Sequence, residues 1–361
     1  MIHGRICAVE RHSLSENSKG KIMDNNTSNA VQTSSANSQC NNAKPLLGIS
    51  ECLTGSEVRF NGGHKRSRYC TDTLSEHFEF KALCPEVGIG MSVPRPPIRM
   101  VANDGAKNPE QVTDIRVIAT DAPDEDYAQS LRHYAHGAMP QLQGISGYIF
   151  MQKSPSCGVN SSKVYGDKGY PLFSGAGAFA DEFMKLMPLV PVIEAGQLND
   201  AGLRENFMTR VFAYHEWLTQ VEANLTVKSL LEFHRRHKLQ IRIHKEKSMR
   251  ELGRLLANLK EADLNVVAGE YISIFMDALK QPVRRPQQAN LLYRIQKHIK
   301  RCLSKEEKAE VMGLIEQYRQ GIIPLIVPMT LLKFFVNKYK ADTNIAAMEP
   351  YPSNLGLQNH I

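Results

Sequence analysis

ISGYIFMQKSPSCG, residues 145–158, decides how the rest of the chain is read. Its first eight residues are apolar, β-branched and aromatic, the composition of a buried strand. The proline and glycine that follow end the strand and open a loop. Cys157 therefore falls just past the carboxyl end of a strand, the edge of an open α/β sheet where ligands and catalytic groups gather. A lone cysteine in such a place is most often a small buried hydrophobe. Cys157 is not alone.

The same arrangement recurs twice upstream. Cys52 follows the strand-like LLGIS (46–50) in SECLTG, and Cys84 follows FEFKAL (78–83) in CPEVGIGM. Further strands are expected at IRVIAT (115–120) and LVPVIE (189–194), with helices between them at 124–139 and 177–187. Such alternation predicts an α/β N-terminal domain with a mostly parallel sheet. In a parallel sheet the carboxyl ends share one edge, so the three thiols are expected to converge.

From about residue 225 the pattern becomes helical, with apolar residues three and four apart over 226–259 and further helices at 264–279, 286–302, 304–319 and 324–339. An all-α C-terminal domain is expected there. The predicted organisation is a Ser/Asn/Lys-rich disordered tail over 1–44, an α/β domain over 45–220, a basic helical domain over 225–345 and a C-terminal tail over 346–361. There is no internal repeat.

The chain has 361 residues, seven cysteines and a net charge of +7. No stretch reaches the ~18 consecutive apolar residues of a membrane span, and the N-terminus has no apolar run of signal-peptide type. A cytoplasmic protein with reduced thiols, in no contact with membrane, is expected; spaced cysteines there are metal-binding or catalytic rather than disulfide-forming. The charge is uneven: residues 227–340 hold 23 basic and 11 acidic side chains (+12), and the remainder 21 and 26 (−5). Such a balance fits either an anionic partner, nucleic acid first, or a solvated basic surface. The candidate phosphate contacts are Arg235, Arg236, Lys238 and Lys245, then Arg284, Arg285, Arg294, Lys297, Lys300 and Arg301. His234, His237 and His244 lie near helical spacing and fit a basic helix face or, less simply, a metal site.

Three thiolates without an obvious fourth point to an iron–sulfur cluster or zinc with an open position. The intervals of 32 and 73 residues match no compact ferredoxin or zinc-finger run. Glu86, two residues past Cys84, is placed to carry protons or to be a surface charge. Ser154 and Ser156 flank Pro155 as hydrogen-bond donors or plain turn residues. Glycines in RFNGGHKRS (59–67) allow His64 and Lys65 to meet an anion. PRPP (94–97) gives a rigid loop carrying Arg95. Cys70 and Cys302 read as structural thiols.

ISECLTGSEVRFNGGHK, CPEVGIGMSVPRPP and KSPSCG together resemble the thiouracil desulfidase family over about residues 45–220, with RENFMTRVFAYHEW (204–217) similar to that domain's ending. FHRRHKLQIRIHKEK, RRPQQANLLYRIQKHIK, PLIVPMTLLKFF and the closing YPSNLGLQNHI resemble the YbgA-type helical domain. The combination is similar to two-domain desulfidases that act on 4-thiouridine in tRNA. The resemblance implies a [4Fe-4S] cluster held by Cys52, Cys84 and Cys157, with one iron not bound by the protein. It also implies catalytic roles for Glu86, as the group that activates water, and for Ser154, with Ser156 as the second choice. One position departs from the family pattern: Glu51 stands where a small residue more often precedes the cysteine, an extra charge at the mouth of the site. The expected function is replacement of the 4-thiouridine sulfur by oxygen with release of sulfide, tRNA being held by the basic helices. A desulfidase for free thiolated bases and a non-catalytic metal-binding regulator that binds nucleic acid are the alternatives.

Overall fold

Leu46–Ser50 (β1) is almost wholly buried along its length, the pattern of a central strand covered on both faces. A computed structural model describes residues 44–103, 115–259, 262–341 and 346–359, which belong to one packed unit. The expected N-terminal tail, with Cys7 and Cys40, lies outside the described residues apart from Lys44.

β1 pairs in parallel with β2 (Glu79–Leu83) and, on its other side, with β5 (Gly147–Phe150), which pairs in parallel with β8 (Val192–Glu194). The sheet order is β2-β1-β5-β8. All four carboxyl ends therefore lie on one edge, as the strand-then-cysteine pattern requires. Gly48 is a requirement of this register: a Cβ there would sit 2.2 Å from the ring of Tyr148, which passes over it.

The α/β class and the parallel sheet are as expected. A second, mixed sheet of order β4-β3-β6-β7 accompanies it, built from β3 (Ile98–Val101), β4 (Arg116–Ala119), β6 (Ser162–Tyr165) and β7 (Pro171–Gly175). IRVIAT, expected among the parallel strands, is β4 at the edge of this second sheet, antiparallel to β3.

Opposite faces of the parallel sheet bury different sets. Tyr148 and Phe150 stack at 4.0 Å and meet Phe179 and Phe183 of α3 (Ala178–Leu186), beside α2 (Ala128–Ala138). Leu47, Ile49 and Ile149 pack on Phe207 and Val211 of α4 (Ala201–Glu216). Each such fully buried apolar side chain contributes about 1.5–3 kcal/mol. Between β2 and β3 lies the one-turn α1 (Pro85–Gly88).

The helical part comprises α5 (Val227–His244), α6 (Glu246–Ala257), α7 (Leu264–Leu279), α8 (Arg285–Ile299), α9 (Lys305–Gln320) and α10 (Ile326–Lys338). Helical periodicity over 226–259 resolves into two helices because the chain becomes extended at Lys245 (φ −153°, ψ 96°). The core under α3 continues without a break through Trp217, Phe233, Tyr271 and Phe275, so the apolar interior crosses from the sheet into these helices. The closing residues, read as a tail, are packed instead. Tyr351, Leu355 and Leu357 join Leu47, Ile49 and Phe207, and the Tyr351 hydroxyl donates to Glu205 at 2.6 Å.

The three histidines of α5 form neither a basic face nor a metal site. His237 is 2 % exposed, His244 Nδ1 donates to the Gln281 carbonyl (2.6 Å) and His234 meets the Tyr271 hydroxyl (3.2 Å). Burial pushes the half-buried His234 and the buried His244 down to about 4, so neither adds a positive charge near neutral pH. No described helix is long and apolar enough to cross a membrane.

Candidate active site

Each of the three strand-end cysteines is fixed by the turn that follows its strand. After β1 the chain enters a 3-10 turn, Glu51–Leu53, and the segment 55–67 folds back on it: the Lys65 amide donates to the Cys52 carbonyl (2.9 Å) and the Ser67 amide to that of Leu53 (2.9 Å). After β2, Cys84 is the residue just before α1, with Pro85 at the first helical position, where its missing N–H costs nothing. After β5, Lys153 adopts a left-handed conformation (φ 57°) and starts the KSPSCG turn. There the Ser154 hydroxyl accepts from the amides of Ser156 (3.3 Å) and Cys157 (3.2 Å), a side-chain turn of the kind serine favours.

Two further contacts clamp this turn. The start of α3 lies against it, with the Ala178 amide on the Pro155 carbonyl (3.0 Å) and the Ala180 amide on that of Ser156 (3.0 Å). The approach is so close that a Cβ at Gly177 would fall 2.6 Å from the Pro155 oxygen. Glu194, at the end of β8 and 4 % exposed, accepts from the amides of Val159 (2.7 Å) and Asn160 (3.2 Å) and from the Ser161 hydroxyl (2.7 Å). Ser50 ties β1 to β5 by accepting from the Met151 amide at 2.9 Å. Ser50 and Glu194 were not singled out in the sequence; a polar residue closing an otherwise apolar strand was the available signal.

Cys52, Cys84 and Cys157 all line one cavity of about 610 Å³, together with Glu86 and Ser154. Glu86 is held at both oxygens. Nε and Nη2 of Arg95 donate to Oε2 (2.9 and 2.6 Å), and Ser156 Oγ donates to Oε1 (2.7 Å). Arg95, 7 % exposed, also donates to the carbonyls of Ser92 (3.1 Å) and Val58 (2.9 Å), and its amide donates to that of Phe60 (2.8 Å). One guanidinium thus binds the PRPP loop to α1 and to the 55–67 segment. The remaining cavity cations, Arg59, Lys65, Arg99, Lys153 and Lys163, have no carboxylate within ion-pair distance among the described residues.

The shared space raises the proton affinity of the thiols. Burial raises Cys52 to about 11, with the negative charge of Cys84 adding to it. Cys84 is raised chiefly by burial, and Cys157 is pushed far up by burial, opposed by a hydrogen bond from Ser50 and reinforced by Glu86, Cys84 and Cys52. Three thiolates exist together here only with a compensating cation. Among the described residues no three His, Cys, Asp or Glu side chains close on a single ion. Thiols that face one cavity without meeting at one point suit a group of several metal atoms, each taking one thiolate.

The other candidates separate. Lys65 lines the cavity, while His64 is exposed and its Nδ1 accepts from the Arg66 amide (3.2 Å). Ser154 faces the cavity; Ser156 is fully buried behind it on Glu86. Glu51 lines the cavity as expected from its place beside Cys52. Cys70 is a buried core thiol, whereas Cys302, expected to be structural, is exposed in the turn after α8.

Residues 47–195 match the family model described as 2-thiouracil desulfurase. The chain is also 32 % identical over 118 residues to the uncharacterized protein YbbK of Bacillus subtilis (strain 168), covering 31 % of this chain and 73 % of that protein. The chain belongs to the 2-thiouracil desulfurase family. In this desulfurase-family protein, residues 238–352 match a second model, described as a protein of unknown function (DUF1722). The uncharacterized protein YbgA of Escherichia coli (strain K12) is 27 % identical over 136 residues, 37 % of this chain and 80 % of that one. A solved structure titled [4Fe-4S]-dependent thiouracil desulfidase TudS is 26 % identical, covering 44 % of this chain and 95 % of that one, with a TM-score of 0.31.

Proposed function

We propose that this protein replaces the sulfur of 4-thiouridine in tRNA by oxygen and releases sulfide. The observation that carries the reading is the sharing of one cavity by three strand-end cysteines and a carboxylate held by Arg95 and Ser156. Cys52, Cys84 and Cys157 would hold a [4Fe-4S] cluster, leaving one iron without a protein ligand. When bound, such a cluster supplies a Lewis acid with affinity for soft sulfur.

The protein's own groups do the rest. Arg95 fixes the direction of the Glu86 carboxyl group, and Oε1, the oxygen not taken by Arg95, accepts a proton from the water that attacks the thiocarbonyl carbon. The oxygen of Ser154 is occupied by two amides, which leaves its O–H to donate into the cavity toward the base. Water adds, the C–S bond breaks, and the products are uridine and hydrogen sulfide, with no change in oxidation state. The cavity cations without a carboxylate partner among the described residues favour a substrate that carries phosphate over a neutral base, and a cavity of about 610 Å³ is of a size for a nucleotide turned out of its stack. The excess of positive charge over residues 227–340 supports an RNA as the carrier of that nucleotide.

The test is anaerobically reconstituted protein mixed with tRNA containing 4-thiouridine, with thiouridine loss, uridine gain and sulfide followed together. Wild type converts and Cys157→Ala does not. Conversion of free 4-thiouracil with none of the tRNA moves the substrate to free bases. Tight tRNA binding with an intact cluster and no sulfide moves the protein to the non-catalytic class.

A further inference from the structure

We infer that a second cavity, formed by α5 and the end of α8, is an anchor for backbone phosphates of the RNA; the inference rests on the tRNA reading above. This cavity, about 600 Å³, is lined by Arg242 of α5, by Arg294 and Lys297 of α8 and by Lys300 and Arg301 just beyond it, with His298 and the apolar Leu239. It shares no residue with the thiol cavity and contains no carboxylate.

Several cations elsewhere in the helical part are neutralised locally. Lys245 meets Asp277 at 3.0 Å, Arg319 meets Glu316 at 2.6 Å and Lys338 meets Glu307 at 2.7 Å. Two of the sequence candidates, Arg236 and Lys245, are engaged in this way, Arg236 with Glu216 at 3.0 Å. None of the five cavity cations has a carboxylate within ion-pair distance among the described residues. Arg242 Nε is buried without a hydrogen-bond partner, and Nη2 reaches only the Met249 sulfur at 3.9 Å. Five like charges around one depression repel one another until an anion arrives.

A helix end accounts for one or two of these charges, since cations favour a C-terminus. It does not account for Arg242, which comes from a different helix. The same helix end argues against a small, enclosed anion site: small phosphates are cradled by the amides of helix N-termini, and α8 offers its C-terminal end. Arg294 and Lys297 lie three apart on the exposed face of α8, opposite the buried Leu291, Leu292, Ile295 and Ile299, and the exposed Arg301 follows in the turn beyond it. An open row of exposed cations suits a chain of phosphates, which it positions without reading bases.

The experiment measures binding of unmodified tRNA to the full chain across a series of KCl concentrations. The variant is Arg294→Ala/Lys297→Ala/Arg301→Ala, with Arg294→Lys/Arg301→Lys as the charge-keeping control. The triple variant should bind at least tenfold more weakly at 0.15 M salt. Its slope of log K against log salt should be shallower by about 2–3, at roughly 0.9 per lost duplex phosphate contact. Its thermal midpoint should equal or exceed that of wild type, because repulsion has been removed, and the control should bind like wild type. An unchanged slope and affinity in the triple variant overturns the anchor and leaves the tRNA reading standing. Wild type that holds no tRNA at any salt overturns the tRNA reading and the anchor with it. Saturable binding of inorganic pyrophosphate that the triple variant loses, at unchanged tRNA affinity, assigns the cavity to a free phosphate and also overturns the anchor.

Discussion

Arg95 grips Glu86 through two nitrogens on one carboxylate oxygen, at 2.9 and 2.6 Å, and leaves the other oxygen to Ser156 and the cavity. The pair is well shielded, with the Arg95 side chain 3 % and the Glu86 side chain 15 % exposed. The arrangement fixes the direction of the carboxylate. It also links three separate stretches of chain, because the same guanidinium donates to Ser92 and Val58.

Removing one partner of such a pair leaves the other charge without compensation, a loss of about 3–5 kcal/mol. Arg95→Ala is therefore expected to lower stability by that order in chemical denaturation, and to abolish sulfide release in whatever fraction stays folded. Arg95→Lys keeps the charge but not the fork of donors, and should fall between. Equal stability of Arg95→Ala and wild type would mean that the pair does not hold the loops.

The two serines of KSPSCG should separate kinetically. Ser156→Ala removes a donor to a carboxylate, worth about 1.5–3 kcal/mol, and should lower kcat with little change in KM. Ser154→Ala removes an acceptor of two amides, worth about 1 kcal/mol of stability, and takes away a hydroxyl that lines the cavity, so on the proposed reaction kcat/KM should fall through KM as well. Steady-state kinetics with both variants, matched for iron content, checks this; a larger effect of Ser156→Ala on KM than on kcat reverses the assignment.

Much of this was legible in the sequence, for physical reasons. Strands buried on both faces carry continuous apolar runs, so LLGIS and GYIF announce themselves, and a parallel sheet then brings Cys52, Cys84 and Cys157 to one edge. The second sheet was hidden because SKVY and PLFSG are short and mix Lys, Ser and Pro with their apolar residues. The α5 histidines were misread because their charge looked like a surface, while burial makes His234 and His244 neutral. The tie between Arg95 and Glu86 depends on a loop folding back across nine residues, which no periodicity encodes.

Thiol reactivity in the metal-free protein should follow burial. Cys52 sits at about 11, so at pH 8 only about one molecule in a thousand carries its thiolate. Among the cysteines of the described residues, alkylation resolved by peptide mass should strike the exposed Cys302 first, and Cys52 should speed up about tenfold per pH unit toward 11. Because the folded state holds the Cys52 proton more tightly than the unfolded chain, that contribution to stability is present below about 9 and is lost as pH rises to about 11. Reconstitution with iron and sulfide should protect Cys52, Cys84 and Cys157 together. Cys52 reacting as fast as Cys302 at pH 8 would contradict the buried, charge-crowded site.

The closing segment should behave as part of the core. Tyr351, Leu355 and Leu357 belong to the same buried cluster as Leu47 and Ile49 of β1, the strand that leads directly into Cys52, and Tyr351 is fixed by its bond to Glu205. Ending the chain at residue 345 removes these three members of the cluster. Three buried side chains of this size account for roughly 5–9 kcal/mol at about 1.5–3 each, comparable with the whole stability of many domains. The truncated protein is expected to be insoluble or to melt far below wild type, and to bind iron poorly because β1 no longer holds the first cysteine in place. Tyr351→Phe, which removes only the hydroxyl, should cost about 1–3 kcal/mol by leaving Glu205 with one partner fewer. A truncated chain with an unchanged thermal midpoint and full iron content would return residues 346–361 to the status of a tail.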